Sequence, residues 1–438
     1  MTLALTSLHP GPPQELQPGY SVKGGVPPRT TTRKHTKVAL FGHFGISNFG
    51  NEATIQALLC NLRRLMPEAE ITCVCSAPEV VTGEYRIPAV PICGVVVQSW
   101  DVRNPIVRLA RKLFVGIPSE LYRWLKAMKT LWRQDMFIVV GTGLLTDAFG
   151  LASWGPYNVF KWSVIAKLCG CRVIFTSVGA GPLNTGRGRL FVKSALSLAR
   201  LRTYRDEATL EYLKGIGFCQ NDDRVYPDLA FSLPAPARKD RTTKGRRPVV
   251  GVGLMTYAGM YGVERTTEAH YAEYMNILLA FVEWLLKREY DVHLLIGDLN
   301  DAATVQGFQA SLRARLGNYD QMRVIAEPIA SAEDLLSQIE ETDLVVATRF
   351  HNVLLALFLN KPSIAISFHH KCSSLMKQMG LSEYYQEINS LDLDRLIQQF
   401  CDLERNATTL KAEIRRKADE CRAALDEQYK TILSALNV

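Results

Sequence analysis

Val345 to Met376 reads "VVATRFHNVLLALFLNKPSIAISFHHKCSSLM" and contains the architecture in miniature. Val345 and Val346 belong to a short apolar run with the look of a buried strand. From His351 to Leu359, apolar residues at Val353, Leu354, Leu357 and Phe358 fall at helical spacing. A second apolar run, "SIAIS", follows. Arg349, Phe350 and His351 therefore sit on a turn between the C-terminal end of a strand and the N-terminus of a helix. In open α/β sheets ligands bind at such turns, and a helix N-terminus favours anions. The same residues also read as a surface arginine with a histidine in the capping region. The rest of the chain decides between the two.

Strand, glycine turn and helix alternate along most of the sequence. "KVALFGHFGISNFG" and "NEATIQALLCNLRRLM" read as strand, loop and helix, and "ITCVC" as the next strand. "MFIVVGTGLL" and "CRVIFTSVGAGP" are buried strands that run into glycine turns, and "LRTYRDEATLEYLKGIG" is a short strand followed by a helix. After a Pro-rich and then basic segment the pattern restarts with strands at "PVVGVGL", "DVHLLIG", "MRVIA", "DLVVAT" and "SIAIS". A clear helix lies between His270 and Tyr290. Strands alternating with helices in both halves predict an α/β protein of two Rossmann-like parallel-sheet lobes with a cleft between them. The expected divisions are a disordered leader at 1–36, a first lobe at 37–234, a linker at 235–247, a second lobe at 248–390 and C-terminal helices at 391–438. Those last helices are expected along the outside.

The bulk numbers exclude several classes. Hydrophobic content of 47% and charged content of 21% over 438 residues describe a globular chain long enough for two domains. No stretch approaches the roughly 20 apolar residues of a transmembrane helix, and the N-terminus lacks the pattern of a secretory signal. The ten cysteines are scattered without a C-x-x-C pair, so structural zinc is not expected and the thiols read as reduced in a cytoplasmic chain. The formal charge of +8 suits acidic small molecules, an anionic membrane or nucleic acid equally.

Four further turns stand out as candidates for chemistry, although each glycine turn alone also reads as a structural turn. "GHFGISNFGNE" offers Gly45, Asn48, Gly50, Asn51 and Glu52. Its glycine spacing is not that of a dinucleotide loop, and it has no Walker lysine. "GTGLLTD" offers Gly141, Gly143 and Asp147, and "GAGP" offers Gly179 and Gly181. In "YRDEAT", Asp206 and Glu207 suit the first turn of a helix. Arg205 does not, and requires a bound anion or a neighbouring carboxylate. Arg349 raises the same requirement in the second half. One arginine per lobe at a cleft makes a clamp for a small polyanion, since the planar guanidinium pairs with carboxylate or phosphate oxygens. His351 beside Arg349 has an unperturbed pKa near neutrality, and Lys371 adds a point charge. His369 and His370 read as exposed turn residues, and no metal site is expected.

Taken in order, the glycine loop with N-x-G-N-E, "GTGLLTD", "SVGAGP", "YRDEAT", "YPDLAF", "TRFH" and a lysine about twenty residues further resemble the polysaccharide pyruvyl transferase family. The resemblance runs from about Lys37 to Leu381. It implies a GT-B-like pair of lobes, phosphoenolpyruvate as donor substrate without a cofactor, and transfer of pyruvyl to a saccharide acceptor as a ketal in exopolysaccharide or cell-surface glycan synthesis. It implies that Arg205 and Arg349 grip phosphoenolpyruvate and that His351 takes part in catalysis. The chemistry of such a transfer suits His351 to general acid–base work, with Glu52 or Asp147 from the first lobe orienting sugar hydroxyls. Asn51 departs from the family's usual aspartate. No nucleic-acid partner is implied, and the acceptor is free or lipid-linked. A GT-B glycosyltransferase using a nucleotide sugar, or a non-catalytic binder of anionic glycans or membranes, are the alternatives. Between Arg103 and Arg133, Arg108, Arg111, Lys112, Arg123, Lys126 and Lys129 interleave with Phe114, Trp124 and Trp132. That pattern fits either an interfacial helix peripheral to an inner membrane face or an ordinary amphipathic helix with a solvated basic face.

Overall fold

The computed structural model describes residues 35–93, 107, 111–148, 155–234, 246–256, 268–317, 320–367 and 370–435. The expected leader falls almost wholly outside these residues, as do most of the expected linker, Arg103, Arg108 and His369.

The first half contains strands β1 (Lys37–Gly42), β2 (Glu70–Cys75), β3 (Ala89–Pro91), β4 (Met136–Val140), β5 (Arg172–Val178), β6 (Leu201–Tyr204) and β7 (Arg224–Val225). Its helices are α1 (Phe49–Leu65), α2 (Pro78–Tyr85), α3 (Ile117–Leu131), α4 (Pro156–Leu168), α5 (Gly186–Ser197) and α6 (Glu207–Gly215). The second half contains β8 (Val249–Gly253), β9 (Asp291–Leu295), β10 (Val324–Ile325), β11 (Leu344–Ala347), β12 (Ser363–Ser367) and β13 (Tyr385–Glu387). Among them lie α7 (Glu268–Lys287), α8 (Ala302–Leu316), α9 (Ala332–Glu340), α10 (Phe350–Phe358) and α11 (His370–Gln378), followed by α12 (Leu393–Arg405) and α13 (Ala407–Ser434).

All strand pairings are parallel. The seven-stranded sheet runs β3-β2-β1-β4-β5-β6-β7 and the six-stranded sheet β10-β9-β8-β11-β12-β13. Helices cover both faces, so the central strands are apolar on both sides. "MFIVV" and "VVGVG" are buried at every position for this reason. The two-lobed α/β architecture read from the sequence is the one present. The short edge strands β3, β7 and β13 have too few residues to show a period, and sequence patterning missed them.

In each sheet the strand order reverses once, between β1 and β4 in the first and between β8 and β11 in the second. Loops diverge at such a reversal and leave a crevice at the carboxyl ends of the strands. The turns after β1, β4 and β11 are the ones already singled out. At the same ends the lobes are stitched together. Phe49 N–H donates to the Gly297 carbonyl (3.2 Å), and Leu299 N–H donates to that of Ser47 (3.1 Å).

The C-terminal helices do not simply lie along the outside. Helix α13 carries the fully buried Gln428 into the first lobe, where its amide donates to Ser177 Oγ (2.9 Å) and Thr203 Oγ1 (2.7 Å). Tyr429 shares a hydrogen bond with Ser232 (2.8 Å). A polar residue on the inward face of a helix reads as surface in a hydrophobicity pattern, which is why this docking was not visible there.

Candidate functional site

The loop after β1 is shaped by close contact. Gly45 has φ +77° and a side chain there would strike the Ala77 carbonyl at 2.7 Å, so glycine is required. Asn48 caps α1 by accepting from Asn51 N–H (3.2 Å), and its amide donates across to Asp298 (3.1 Å). The Asn51 amide donates to the His43 carbonyl (3.0 Å). The aspartate usual at this position in the resembled family could not donate that bond. Gly50 sits against the imidazole of His351, and a Cβ would lie 1.8 Å from Nδ1. Glu52 lies beneath the loop, where it accepts from Gly45 N–H (2.8 Å) and Tyr85 O–H (2.9 Å). Burial pushes its carboxyl up to about 7.

The turns after β4 and β5 divide into lining and support. Gly141 packs β4 on β5, since a Cβ would meet the Ser177 carbonyl at 2.6 Å. Gly143 faces the Lys371 ammonium, Gly179 packs on the Arg205 guanidinium, and Gly181 adopts φ +90°. Asp147 accepts from Asn184 N–H (2.9 Å) and from both the N–H and hydroxyl of Thr185 (each 2.7 Å). Burial raises its pKa, but these hydrogen bonds outweigh that effect and leave it below the usual value. Its work is to tie the Gly181–Pro182 turn to the start of α5.

The charged groups converge from both lobes. Arg205 is buried, with Nη1 3.3 Å from Asp228 and Nε 3.6 Å from Asp206. Its guanidinium lies 4.8 Å from the Phe350 ring. Neither Nε–H nor Nη2 has a hydrogen-bond partner. Burying a guanidinium with open donors is costly unless a ligand completes it. Arg349 differs. Its fork is matched to the fully buried Asp301 by two bonds, from Nε (2.8 Å) and Nη2 (2.7 Å). The carboxylate that its position demanded is therefore part of the protein, and Asp301 also accepts from Thr256 N–H (2.9 Å).

Burial lowers His351 to about 4; Asp228 pulls the other way, and Arg205, Lys371 and Arg349 reinforce the lowering. The imidazole is thus neutral at pH 7. Burial lowers Lys371 to about 7, with Arg205 adding to the effect and Asp206 opposing it. Two cations held together in a partly dry cleft destabilise each other, and an anion between them removes the conflict. His370 is exposed as the first residue of α11.

Together these elements enclose a cavity of about 470 Å³, within the usual size of a small-molecule site. Asn48, Asn51, Gly143, Gly181, Arg205, Arg349, His351 and Lys371 line it. Gly45, Gly50, Glu52, Gly141, Asp147 and Gly179 lie behind the lining and support it. Three acids were not singled out by sequence reasoning. Asp298 lines the cavity, while Asp228 and Asp301 hold the arginines. Asp228 had a signal, since it stands in "YPDLAF". Asp301 had none, because its partner Arg349 is 48 residues away. Among the described residues no three His, Cys, Asp or Glu side chains cluster as metal ligands, and no helix is long and apolar enough to cross a membrane.

Comparison with known proteins adds an independent line. The model of the polysaccharide pyruvyl transferase family matches residues 48–370. The amylovoran biosynthesis protein AmsJ of Erwinia amylovora is 20% identical over 317 residues, covering 70% of this chain and 73% of that protein. The structure is similar to that of UDP-GlcNAc 2-epimerase from Neisseria meningitidis bound to UDP-GlcNAc, with a TM-score of 0.55 at 12% identity. That match covers 91% of this chain and all of the other. It is also similar to a glycosyltransferase from Rickettsia africae, with a TM-score of 0.51 at 10% identity, covering 91% and 99% of the two chains. At such identities the structural likeness shows the two-lobed fold alone.

Proposed function

Because the chain belongs to the polysaccharide pyruvyl transferase family, we propose that its cleft transfers pyruvyl from phosphoenolpyruvate to two hydroxyls of a sugar, forming a ketal. The observation that carries this reading is Arg205, buried in the cleft wall with open donors and with Lys371 facing it from the other lobe. Phosphoenolpyruvate bears a phosphate and a carboxylate, and a guanidinium with an ammonium complements that pair. Arg349, held by Asp301, lines the same cavity.

The reaction needs a proton at the terminal enol carbon, removal of a proton from an attacking hydroxyl, and departure of phosphate. Protonation gives the central carbon positive character, and the first hydroxyl adds there. Phosphate then leaves with its bonding electron pair, and the second hydroxyl closes the ketal with loss of a proton. His351, neutral at pH 7, accepts the hydroxyl proton once addition to the central carbon has made that proton strongly acidic. Lys371, at about 7, is available to supply one and to neutralise the leaving phosphate. Asn48 and Asn51, on the first-lobe wall, suit hydroxyl recognition. Glu52 and Asp147, as they lie here, act by shaping the loops.

A saccharide acceptor follows from the family, and the likeness to an amylovoran biosynthesis protein supports a role in exopolysaccharide assembly. The reading carries a cytoplasmic site, with the acceptor free or lipid-linked and no cofactor beyond the donor. The test is phosphate release from phosphoenolpyruvate with galactose-, glucose- and mannose-terminated acceptors. Acceptor-dependent release is expected. Release with none of them, alongside turnover of a nucleotide sugar, would reassign the cleft to glycosyl transfer.

A further inference from the structure

Helix α3 and the wide turn before it, Lys112–Gly116, expose an unusual run of apolar surface. Phe114 is 80% exposed, Ile117 60%, Leu121 60%, Tyr122 67% and Leu125 57%, and Trp132 just beyond the helix is 64% exposed. Ile117, Leu121 and Leu125 recur every fourth residue and so form one ridge. Ala127 and Leu131, on the neighbouring face of the helix, are buried against the lobe. A soluble surface seldom presents this many large apolar side chains together without a binding partner.

The charges beside the ridge decide which partner. Lys126, Lys129 and Arg133 are exposed along it. Glu120 is the one acid between residues 111 and 133. It is turned toward the lobe, bonded to Arg123 (2.7 Å), Lys161 (3.2 Å) and Tyr157 (2.7 Å). A second copy of the chain meeting this face would bring lysine against lysine. An anionic bilayer offers negative headgroups to the bases and acyl chains to the ridge, and Trp and Tyr suit the boundary between them.

We propose that this face docks the protein on an anionic lipid bilayer. The geometry gives the docking a direction. Helix α3 runs antiparallel to β4, so its N-terminal end, with Phe114 and Ile117, lies on the side where the β4 turn enters the cleft. A bilayer under α3 therefore places that end of the first lobe, and its acceptor-side wall, near the membrane surface. The docking itself does not depend on the chemistry proposed for the cleft.

The test is co-sedimentation of the full chain with vesicles of phosphatidylglycerol and phosphatidylcholine, against phosphatidylcholine alone, over a range of salt. Binding to the anionic vesicles that weakens with salt is expected. The double change Leu121→Ser and Leu125→Ser leaves the charge unaltered and should weaken binding about tenfold or more, with an unchanged thermal midpoint. Lys126→Gln with Lys129→Gln should do the same and flatten the salt dependence. Absence of binding at every ionic strength overturns the proposal. So does binding that the leucine changes leave intact, which would mean diffuse attraction to a basic protein. A vesicle-free dimer abolished by the same leucine changes would give the face to a second copy instead.

Discussion

Replacing Gly50 with alanine would put a methyl group 1.8 Å from Nδ1, 1.9 Å from Cγ and 2.4 Å from Cε1 of His351. Non-bonded carbon contacts settle at about 3.5–4.0 Å, so the ring would have to retreat by roughly 1.5 Å or more. Gly50 lies in the first turn of α1 and is not among the glycines with positive φ, so alanine would favour the helix by up to about 1 kcal/mol. Overpacking costs about 1–3 kcal/mol, so the net loss of stability should stay near 0–2 kcal/mol. The effect on chemistry should be larger, because a misplacement of about 1 Å at a reacting group can cost roughly 10²-fold. The assay is single-turnover ketal formation beside a thermal melt. Gly83→Ala serves as control, since a Cβ there meets nothing within 4 Å in an exposed helix. It should raise stability slightly and leave turnover alone. Wild-type turnover in Gly50→Ala would refute the claim that His351 works where the first lobe now holds it.

Lys371 gives a pH signature. Its proton is lost as pH rises through about 7, so donor affinity should fall above that value, and Lys371→Arg should abolish the fall. The folded pKa lies below the unfolded value of 10.5, so this group lowers stability progressively as pH drops from 10.5 toward 7, and no further below that. Calorimetric titration with phosphoenolpyruvate across that range checks the first point, and urea melts the second. Arg205→Ala removes the open donors and should weaken donor binding by about 1.5–3 kcal/mol, the worth of hydrogen bonds to a charged group. Unchanged affinity in that variant would contradict the anion site. Asp301→Ala takes both paired bonds from the buried Arg349 guanidinium and should cost about 3–5 kcal/mol of folding stability in urea melts. Arg349→Lys should likewise lower stability, as well as donor affinity, because a single ammonium cannot reproduce the paired bonds.

What the sequence revealed follows from what each signal encodes. Central strands such as "MFIVV" and "DLVVAT" are apolar on both faces, and the turns that follow them carry the glycines and arginines. Strand ends, and hence the place of the cleft, were therefore legible. The order of those turns identified the family, although no single turn could. What could not be read was which residues face the ligand. Glu52 and Asp147 sit in the right loops but point beneath them, into Gly45 and Thr185. Arg349 stands at the cleft as expected, yet its fork meets an aspartate supplied by a distant loop. Unperturbed chemistry put His351 near neutrality, whereas burial between the lobes carries it to about 4. Each of these facts depends on residues brought together only by the fold.

The central claim is that this cleft moves the pyruvyl group itself. The direct measurement supplies phosphoenolpyruvate isotopically labelled at its central carbon, together with an acceptor that supports phosphate release, and examines the sugar product by NMR. A labelled quaternary ketal carbon bonded through two oxygens to the sugar is expected, formed in step with phosphate and absent with Arg205→Ala. Phosphate release without label in the sugar, or an unlabelled sugar when a nucleotide sugar is consumed instead, would contradict it.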